Sequence, residues 1–413
     1  MAGGCGARGF DLVLAVARVL HANGESTDAT LGADERLGSD LGLRTTIVPR
    51  WGELQIEAVN GAASVASIVP ASATGVDMDR VASAARVIDR VTDGRLAPAA
   101  AWDAIHAIAK APPAPTWLFT LAAAAGAASL SVLYGVEHLP AVAIIVASAA
   151  LGALVRRALA RYAGNPLLQP LCAASIAGLI GAMAVRYELS SSLRLIAVCP
   201  CMILVPGPHV LNGMMDLAHM RIPLGAARLT YATLVVLAIS VGLLLGLGGF
   251  GVSLPLDPAG RSIPLWLDTI AAGVAVAAFS VFFSMPLKML PWPVAVGALA
   301  HALRWWAMTV LGAGPATGAL VACLFAGVAL APIARRHRMP FAAIGFASVV
   351  SMMPGAFLFR MASGLVQLGA RSNITVELLG GTVANGVTAL EITLAMSIGL
   401  IAPKIAFDHL TRS

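Results

Sequence analysis

The chain has 413 residues, of which 58% are hydrophobic and only 12% are charged, and its mean hydropathy is +0.84. Soluble domains carry about 25% charged residues, so this composition, with repeated apolar runs of about 20 residues, excludes a soluble globular protein and predicts a polytopic membrane protein. Residues 1–115 have a net charge of −3 and residues 116–413 a net charge of +9. This distribution is typical of a water-facing domain followed by membrane spans with basic ends, and not of a nucleic-acid-binding surface.

Residues 1–110 are predicted to form a small α+β domain in the cytoplasm. The first apolar stretch has an amphipathic helical pattern that ends at Asn23-Gly24, and it contains Asp11 and Arg18, which the apolar core of a signal peptide excludes. The predicted elements are helices over 10–24, 25–41, 77–94 and 97–109 and strands over 44–59 and 63–71, with a turn at Arg50-Trp51-Gly52.

This domain carries no recognisable pattern of enzyme chemistry. It contains no G-x-S-x-G, H-E-x-x-H or Walker sequence. The five cysteines of the chain follow no zinc or disulfide spacing. The sequence therefore predicts a protein that is not an enzyme and that holds no metal and no cofactor.

A proline-rich linker, residues 111–116, leads into ten predicted membrane spans. With the N-terminus inside, eleven basic residues fall at cytoplasmic ends and five at outer ends, which favours ten spans with both termini in the cytoplasm. The excess of arginine over lysine, with much alanine and glycine, is typical of GC-rich bacterial genomes, so a bacterial plasma-membrane location is expected. The predicted spans are 116–135, 139–156, 166–186, 194–218, 227–249, 264–285, 289–308, 312–333, 340–367 and 380–403.

The membrane part contains an internal repeat. The segment WLFTLAAAAGAASLSV from Trp117 recurs as WLDTIAAGVAVAAFSV from Trp266, and Pro206-Gly207 recurs as Pro354-Gly355 at nearly the same spacing. Each repeat holds five spans, an odd number, so the second enters the membrane from the opposite side. The sequence predicts an α-helical polytopic protein with two five-helix inverted repeats, 117–250 and 264–407, an arrangement found in secondary transporters.

Both repeats carry a Pro-Gly pair in the middle of their fourth span. Proline removes an N–H group and glycine permits a turn, and such breaks persist in membranes where they line a cavity or find protein partners. We expect the substrate site between the two breaks, with the restarted helix N-termini directed at an anion. The candidate substrate-binding residues are Pro206, Gly207, His209, Asn212, Pro354, Gly355, Arg360, Asn385 and Thr388.

Two carboxylates in predicted spans are candidates for proton coupling, because an ionisable residue inside a membrane is a functional candidate by default. Glu391 lies near the middle of the tenth span and Asp216 follows the first break. A structural pairing of Glu391 with Arg360 and an interfacial position for Asp216 are the alternatives. Arg360 is expected to bind a carboxylate and to face Asn212 across a pseudo-twofold axis, whereas Arg304 is interpreted as a snorkelling end residue.

Three segments resemble the bacterial threonine/serine exporter family: LHANGESTDATLGADERLGSDLGL, VPGPHVLNGMMDLAHMRIPLGAARL and MPFAAIGFASVVSMMPGAFLFRM. The resemblance follows the order of parts over nearly the whole chain. It implies ten spans and export of the small hydroxy amino acids threonine and serine, driven by the proton motive force. Export of a small dicarboxylate such as succinate and a passive channel are the alternatives, and the sequence leaves a homo-oligomer open.

Overall fold

A computed structural model describes residues 3–60, 63–136, 138–162, 164–187, 193–252, 254, 263–370 and 374–411. Of the basic residues used to predict the topology, Arg261, Arg371 and Arg412 lie outside these ranges, and so does the side chain of Arg194.

The N-terminal part contains four helices and one antiparallel sheet with strand order β1-β2-β3. Leu54, Ile56 and Ala58 alternate along the central strand and are buried, since successive side chains of a strand point to opposite faces. These elements lie where the sequence predicts them. They are α1 Gly3–Ala22, α2 Thr27–Asp40, β1 Arg44–Arg50, β2 Gly52–Asn60, β3 Ala63–Ala71, α3 Met78–Thr92 and α4 Pro98–Lys110.

Seven helices in the described residues are long and apolar enough to cross a membrane. Each coincides with one of the predicted spans, so the prediction of a polytopic membrane protein is confirmed. The seven are α5 Thr116–Leu133, α6 Leu139–Tyr162, α7 Leu168–Arg186, α10 Ile222–Gly248, α11 Leu265–Phe282, α13 Pro315–His337 and α16 Val376–Leu410.

Two further spans are broken helices. The helices α8, Leu193–Met202, and α9, Gly207–Ala218, meet at 55°, and α14, Phe341–Val349, meets α15, Gly355–Gly369, at 65° after one 3-10 turn. Counting each bent pair as one span gives up to nine in the described residues.

The remaining predicted span corresponds to α12, Pro291–Thr309. This helix does not reach the apolarity of the others, since it carries His301 and Arg304 within its 19 residues. The predicted number of ten thus exceeds by one the number of apolar spans found by length and composition.

Small residues bring the long helices close together. A Cβ atom at Gly242 would lie 2.2 Å from the Leu171 carbonyl oxygen, so α10 packs backbone to backbone against α7. In the second half, a Cβ at Gly327 would lie 2.8 Å from the Gly399 carbonyl oxygen, which joins α13 to α16 in the same way. Lipid tails are as apolar as the helices, so the hydrophobic effect does not drive membrane helices together. They associate through close packing instead, which small residues allow.

The N-terminal part sits on one end of the helix bundle. Met78 N–H donates to the Phe283 carbonyl oxygen at 3.0 Å, and Asp89 pairs with Arg338 at 3.0 Å. Arg157 donates to the Ala114 carbonyl oxygen at 2.9 Å. The C-terminal ends of α6, α11 and α13 therefore lie on the side of the N-terminal part.

Arg161 and Arg336 are exposed in the last turns of α6 and α13. We expect cysteines introduced at these two positions to react with an impermeant maleimide from the same side of the membrane. A cysteine at Leu311, which is 62% exposed before α13 begins, should react from the other side. The measurement is labelling of sealed vesicles before and after permeabilisation, with the native cysteines replaced. Labelling of positions 161 and 336 from opposite sides would contradict the fold.

Candidate substrate site at two broken helices

The two helix breaks pack against each other. A Cβ atom added at Gly207 would lie 1.7 Å from the Phe346 ring, so that ring of α14 occupies the space that a side chain at the first break would need. At the second break, a Cβ at Gly355 would contact Met202 at 3.4 Å and Val205 at 3.6 Å. Each break is thus in contact with the broken helix of the other half.

The restarted helix ends differ in the N–H groups that they offer. At the start of α9, Gly207 N–H donates to Val205 O at 2.9 Å and His209 N–H to Pro206 O at 3.1 Å, while Pro208 has no N–H. At the start of α15, the N–H groups of Gly355 and Ala356 have no backbone acceptor in the part of the chain that the structure describes. Only the second break therefore has the free N–H groups that we expected at both.

The polar face of α9 is directed at the N-terminal part. Asn212 Nδ2 donates to the Gly24 carbonyl oxygen at 3.1 Å, and Asp28 accepts from Arg221 Nη2 at 2.6 Å. His219 Nδ1 lies 3.4 Å from the same Asp28 carboxylate. The segment between α1 and α2 is consequently the direct neighbour of the first broken helix.

Asp216 forms the centre of a buried charge cluster. Its Oδ2 lies 3.3 Å from Arg228 Nε and its Oδ1 3.6 Å from Arg221 Nη1. Arg228 is only 2% exposed and also reaches Thr27 Oγ1 at 3.5 Å. A buried carboxylate between two guanidinium groups keeps its charge compensated, and removal of any member leaves an uncompensated charge.

The segment from Gly24 to Asp28 has a specific backbone shape. Gly24 has φ +90°, which glycine adopts without strain. Glu25 accepts the Ser26 N–H at 2.7 Å and Ser26 caps α2. Burial raises the pKa of Glu25 and lowers the pKa of His21 to about 4, so the charged form of each is disfavoured beside the helix bundle.

Arg360 lies toward the opposite end of the bundle. It is 5% exposed, and its guanidinium carbon lies 5.3 Å from the Phe357 ring centre. Tyr134, at the far end of α5 from the N-terminal part, is within electrostatic range of Arg360. Asn212 and Arg360 therefore point to opposite ends, and the structure does not place them face to face as we expected.

The interpretation of Arg304 as a snorkelling residue is wrong. Its Nε atom is enclosed by protein, and Tyr134 and Asp268 are its electrostatic neighbours. Asp268 in turn is hydrogen-bonded to the buried ring of His301. These residues make a second polar cluster inside the bundle, which we missed because Arg304 and Asp268 both lie near predicted span ends.

The candidates on α16 fall on different faces. Asn385 is buried and its Nδ2 donates to the Gly381 carbonyl oxygen at 2.7 Å, and Thr388 is partly buried. Glu391 is exposed, on the same outward face as Val387 and Leu394. The structure does not direct Glu391 toward the interior, so its coupling role stays a prediction.

A cavity of about 430 Å³ adjoins the first break. Its wall includes Pro206, Pro208 and His209 from the break, and Arg156 from α6. We counted Arg156 only as a basic residue at a span end, because no sequence signal separates it from Arg157 beside it. Arg228 could have been found from the sequence, because it lies in the segment VPGPHVLNGMMDLAHMRIPLGAARL that resembles the exporter family.

Two family models match the chain over most of its length. The family described as "Putative threonine/serine exporter" matches residues 11–248, and the family described as "Threonine/Serine exporter, ThrE" matches residues 268–406. The chain belongs to the threonine/serine exporter family. The first match runs through the N-terminal part and the first broken helix, which agrees with the contacts between them.

A curated relative from Mycobacterium tuberculosis (strain ATCC 25618 / H37Rv) carries the name "Probable threonine/serine exporter". It is 26% identical over 300 residues, which are 69% of this exporter-family chain and 55% of the relative. The chain thus spans about half the length of that protein. No solved structure matches the chain.

Gly207→Ala should destabilise this family member by about 1–3 kcal/mol, the usual cost of overpacking, because the new methyl group would overlap the Phe346 ring. We expect Gly207→Ala combined with Phe346→Ala to cost less than the two single changes together, since the smaller side chain makes room. Thermal unfolding of the purified protein measures this. The matched control is Gly248→Ala, where no atom lies within 4 Å of the new Cβ; equal stability of Gly207→Ala and Gly248→Ala would refute the interlocked breaks.

Proposed function

We propose that this protein is a secondary active exporter of threonine and serine, driven by the proton motive force. The observation that carries the proposal is the mutual packing of two helix breaks, Gly207 against Phe346 and Gly355 against Met202 and Val205. Broken helices that meet at the midplane form the substrate site in many secondary transporters. The names of both matching families and of the mycobacterial relative support the choice of substrate.

The proposed topology has ten spans, because α12 is counted in addition to the nine apolar ones of the described residues. Both termini lie in the cytoplasm, and the N-terminal part forms a cytoplasmic domain of this plasma-membrane protein. The equivalent glycine contacts of α7 with α10 and of α13 with α16 support two related five-helix halves. His301 and Arg304 face interior groups rather than lipid, which makes a span with two such residues tolerable. An odd number of spans in each half makes the repeats inverted.

The substrate site that we propose lies between the two breaks. Arg360 binds the substrate carboxylate, since a guanidinium pairs with a carboxylate through two parallel hydrogen bonds, and the free N–H groups of Gly355 and Ala356 add to the positive end of α15. Asn385 and Thr388 are the nearest candidates for the substrate hydroxyl. The remaining proposed wall residues are Pro206, Gly207 and Pro354, whereas His209 lines the cavity beside the first break and Asn212 faces the N-terminal part.

For proton coupling we propose Asp216, with Glu391 as the second candidate. Asp216 is 1% exposed and lies beside two arginines and the N-terminal domain, so a change of its charge would alter the contacts that hold the cytoplasmic end closed. Glu391 is exposed at the middle of α16, and it would meet lipid or another protein there. The buried position is better suited to linking proton binding to a conformational change.

Export of a small dicarboxylate is the second candidate function. Arg156 and Arg157 are adjacent at the cavity beside the first break, and two guanidinium groups suit a ligand with two carboxylates. The same cavity also holds an acidic residue, Asp77, which suits an amino acid better.

The experiment that tests the function is counterflow in proteoliposomes with labelled threonine, serine and succinate, with and without a pH gradient. We expect counterflow of threonine and serine, little of succinate, and accumulation of threonine only when a gradient is applied. Faster counterflow of succinate than of threonine would favour the dicarboxylate function. Transport that never exceeds equilibration under a gradient would indicate a passive channel.

Asp216→Asn should abolish accumulation driven by a pH gradient and spare part of the threonine counterflow, because the amide keeps the size of the carboxylate and loses its titration. Asp216→Glu should retain coupling, and Glu391→Gln, a matched loss of one carboxylate, should behave like the parent. Thermal unfolding accompanies each assay, since Asp216→Asn leaves Arg228 less compensated. Gradient-driven transport that survives in Asp216→Asn and fails in Glu391→Gln would move the coupling role to Glu391.

A further inference from the structure

The cavity beside the first break is walled by the N-terminal domain as well as by the membrane helices. Residues Thr74 to Asp77, which lead into α3, line one side of it, and α5, α6, α7, α9, α10 and α11 line the rest. Its volume of about 430 Å³ lies within the range of about 300–1,000 Å³ that is usual for small-molecule sites. A ligand bound here would contact both parts of the chain.

Together with Arg157, Arg156 supplies the positive charge of this cavity. Its Nε and Nη1 atoms are enclosed, and neither has a hydrogen-bond partner among the residues that the structure describes. Its guanidinium carbon lies 5.2 Å from the Phe282 ring centre and 5.8 Å from that of Phe119. Aromatic faces hold a guanidinium in place but do not neutralise its charge. A guanidinium that is fixed, enclosed and unpaired is suited to bind an anion.

The neighbouring Arg157 also has an enclosed Nε atom without a hydrogen-bond partner among the described residues, but another nitrogen of its guanidinium is already bound. Its Nη2 atom donates to the Ala114 carbonyl oxygen at 2.9 Å, and its guanidinium carbon lies 4.2 Å from the Phe119 ring centre. Arg157 therefore connects the linker to α6, which leaves Arg156 as the guanidinium available to a ligand.

The acidic group of the cavity is Asp77, at the N-cap of α3. Its Oδ1 accepts the Arg80 N–H at 3.1 Å, and its Oδ2 lies 3.6 Å from Arg80 Nε, too far for a good hydrogen bond. That carboxylate therefore keeps acceptor capacity. An arginine on one wall and an aspartate on another match the two charges of a free α-amino acid, and the rings of Phe119 and Phe282 offer an apolar surface to its side chain.

The start of α9 explains why a side chain has to supply the positive charge here. The N–H groups of Gly207 and His209 already donate to backbone carbonyl oxygens, and Pro208 has no N–H group. These first residues of α9 therefore provide no N–H group for a carboxylate. We propose that Arg156 binds the carboxylate and Asp77 the ammonium group of an α-amino acid in this cavity, as the first station of the substrate on the side of the N-terminal domain. This rests on the proposed function and adds a second site before the one between the breaks.

Equilibrium binding to the full chain in nanodiscs, without any gradient, tests the site with three probes: threonine, threoninol, which lacks the carboxylate, and 3-hydroxybutyrate, which lacks the ammonium. The parent should bind threonine most tightly. Arg156→Gln should weaken threonine binding about 10- to 100-fold, the range for a charged hydrogen bond, and should abolish the preference over threoninol; Arg156→Lys should be intermediate. Asp77→Asn should abolish the preference over 3-hydroxybutyrate.

The matched control is Arg161→Gln, the same change of charge at an exposed position of α6, which should bind threonine like the parent. An Arg156→Gln variant that binds threonine with parental affinity, or that loses threonine and threoninol by the same factor, overturns the proposal. Binding of succinate that is tighter than that of threonine and depends on Arg156 overturns the assignment of the ligand. If the parent shows threonine counterflow and Arg156→Gln binds normally, this site is refuted and the exporter function stands; if the parent moves no threonine, the function itself fails.

Discussion

The contact between Gly207 and Phe346 joins the two halves of this protein. The ring of Phe346 fills the space where any other residue at position 207 would carry its Cβ, so the first helix break and the second broken helix share one volume. This contact fixes where α9 begins, and thereby brings His209 to the edge of the cavity and Asn212 to the N-terminal domain. A conformational change that separates the halves would break this contact.

Polar clusters lie on both sides of the interlocked breaks. One contains Asp216 and Arg228 near the N-terminal domain, and the other contains Asp268, His301 and Arg304 toward the opposite end. Charges attract one another more strongly in the protein interior than in water, so each cluster holds its end of the bundle together. The apolar contact of the two breaks lies between these two clusters.

The N-terminal part is in direct contact with the helices of this arrangement and is not joined to them by the linker alone. The segment from Gly24 to Asp28 contacts Asn212, Arg221 and Arg228 directly. These contacts explain physically why one family model runs from residue 11 to residue 248 without a boundary at the start of the membrane part. They also place the enclosed Glu25 at the junction, where burial raises its pKa and favours the neutral form beside the buried Arg228.

The positions of the helices, strands and Pro-Gly breaks could be predicted from the sequence, because they depend on local backbone hydrogen bonding, on periodicity and on the absence of an N–H group in proline. The direction of the side chains could not. Glu391 turned out to face outward, Arg304 inward and Asn212 toward Gly24, and Arg156 was not distinguished from Arg157. In a soluble protein, the polar and apolar faces of a helix report which side is buried. In a membrane the outward face is apolar as well, so this signal is lost, and only the packing of small residues and the docking of the N-terminal domain decide how each helix is rotated.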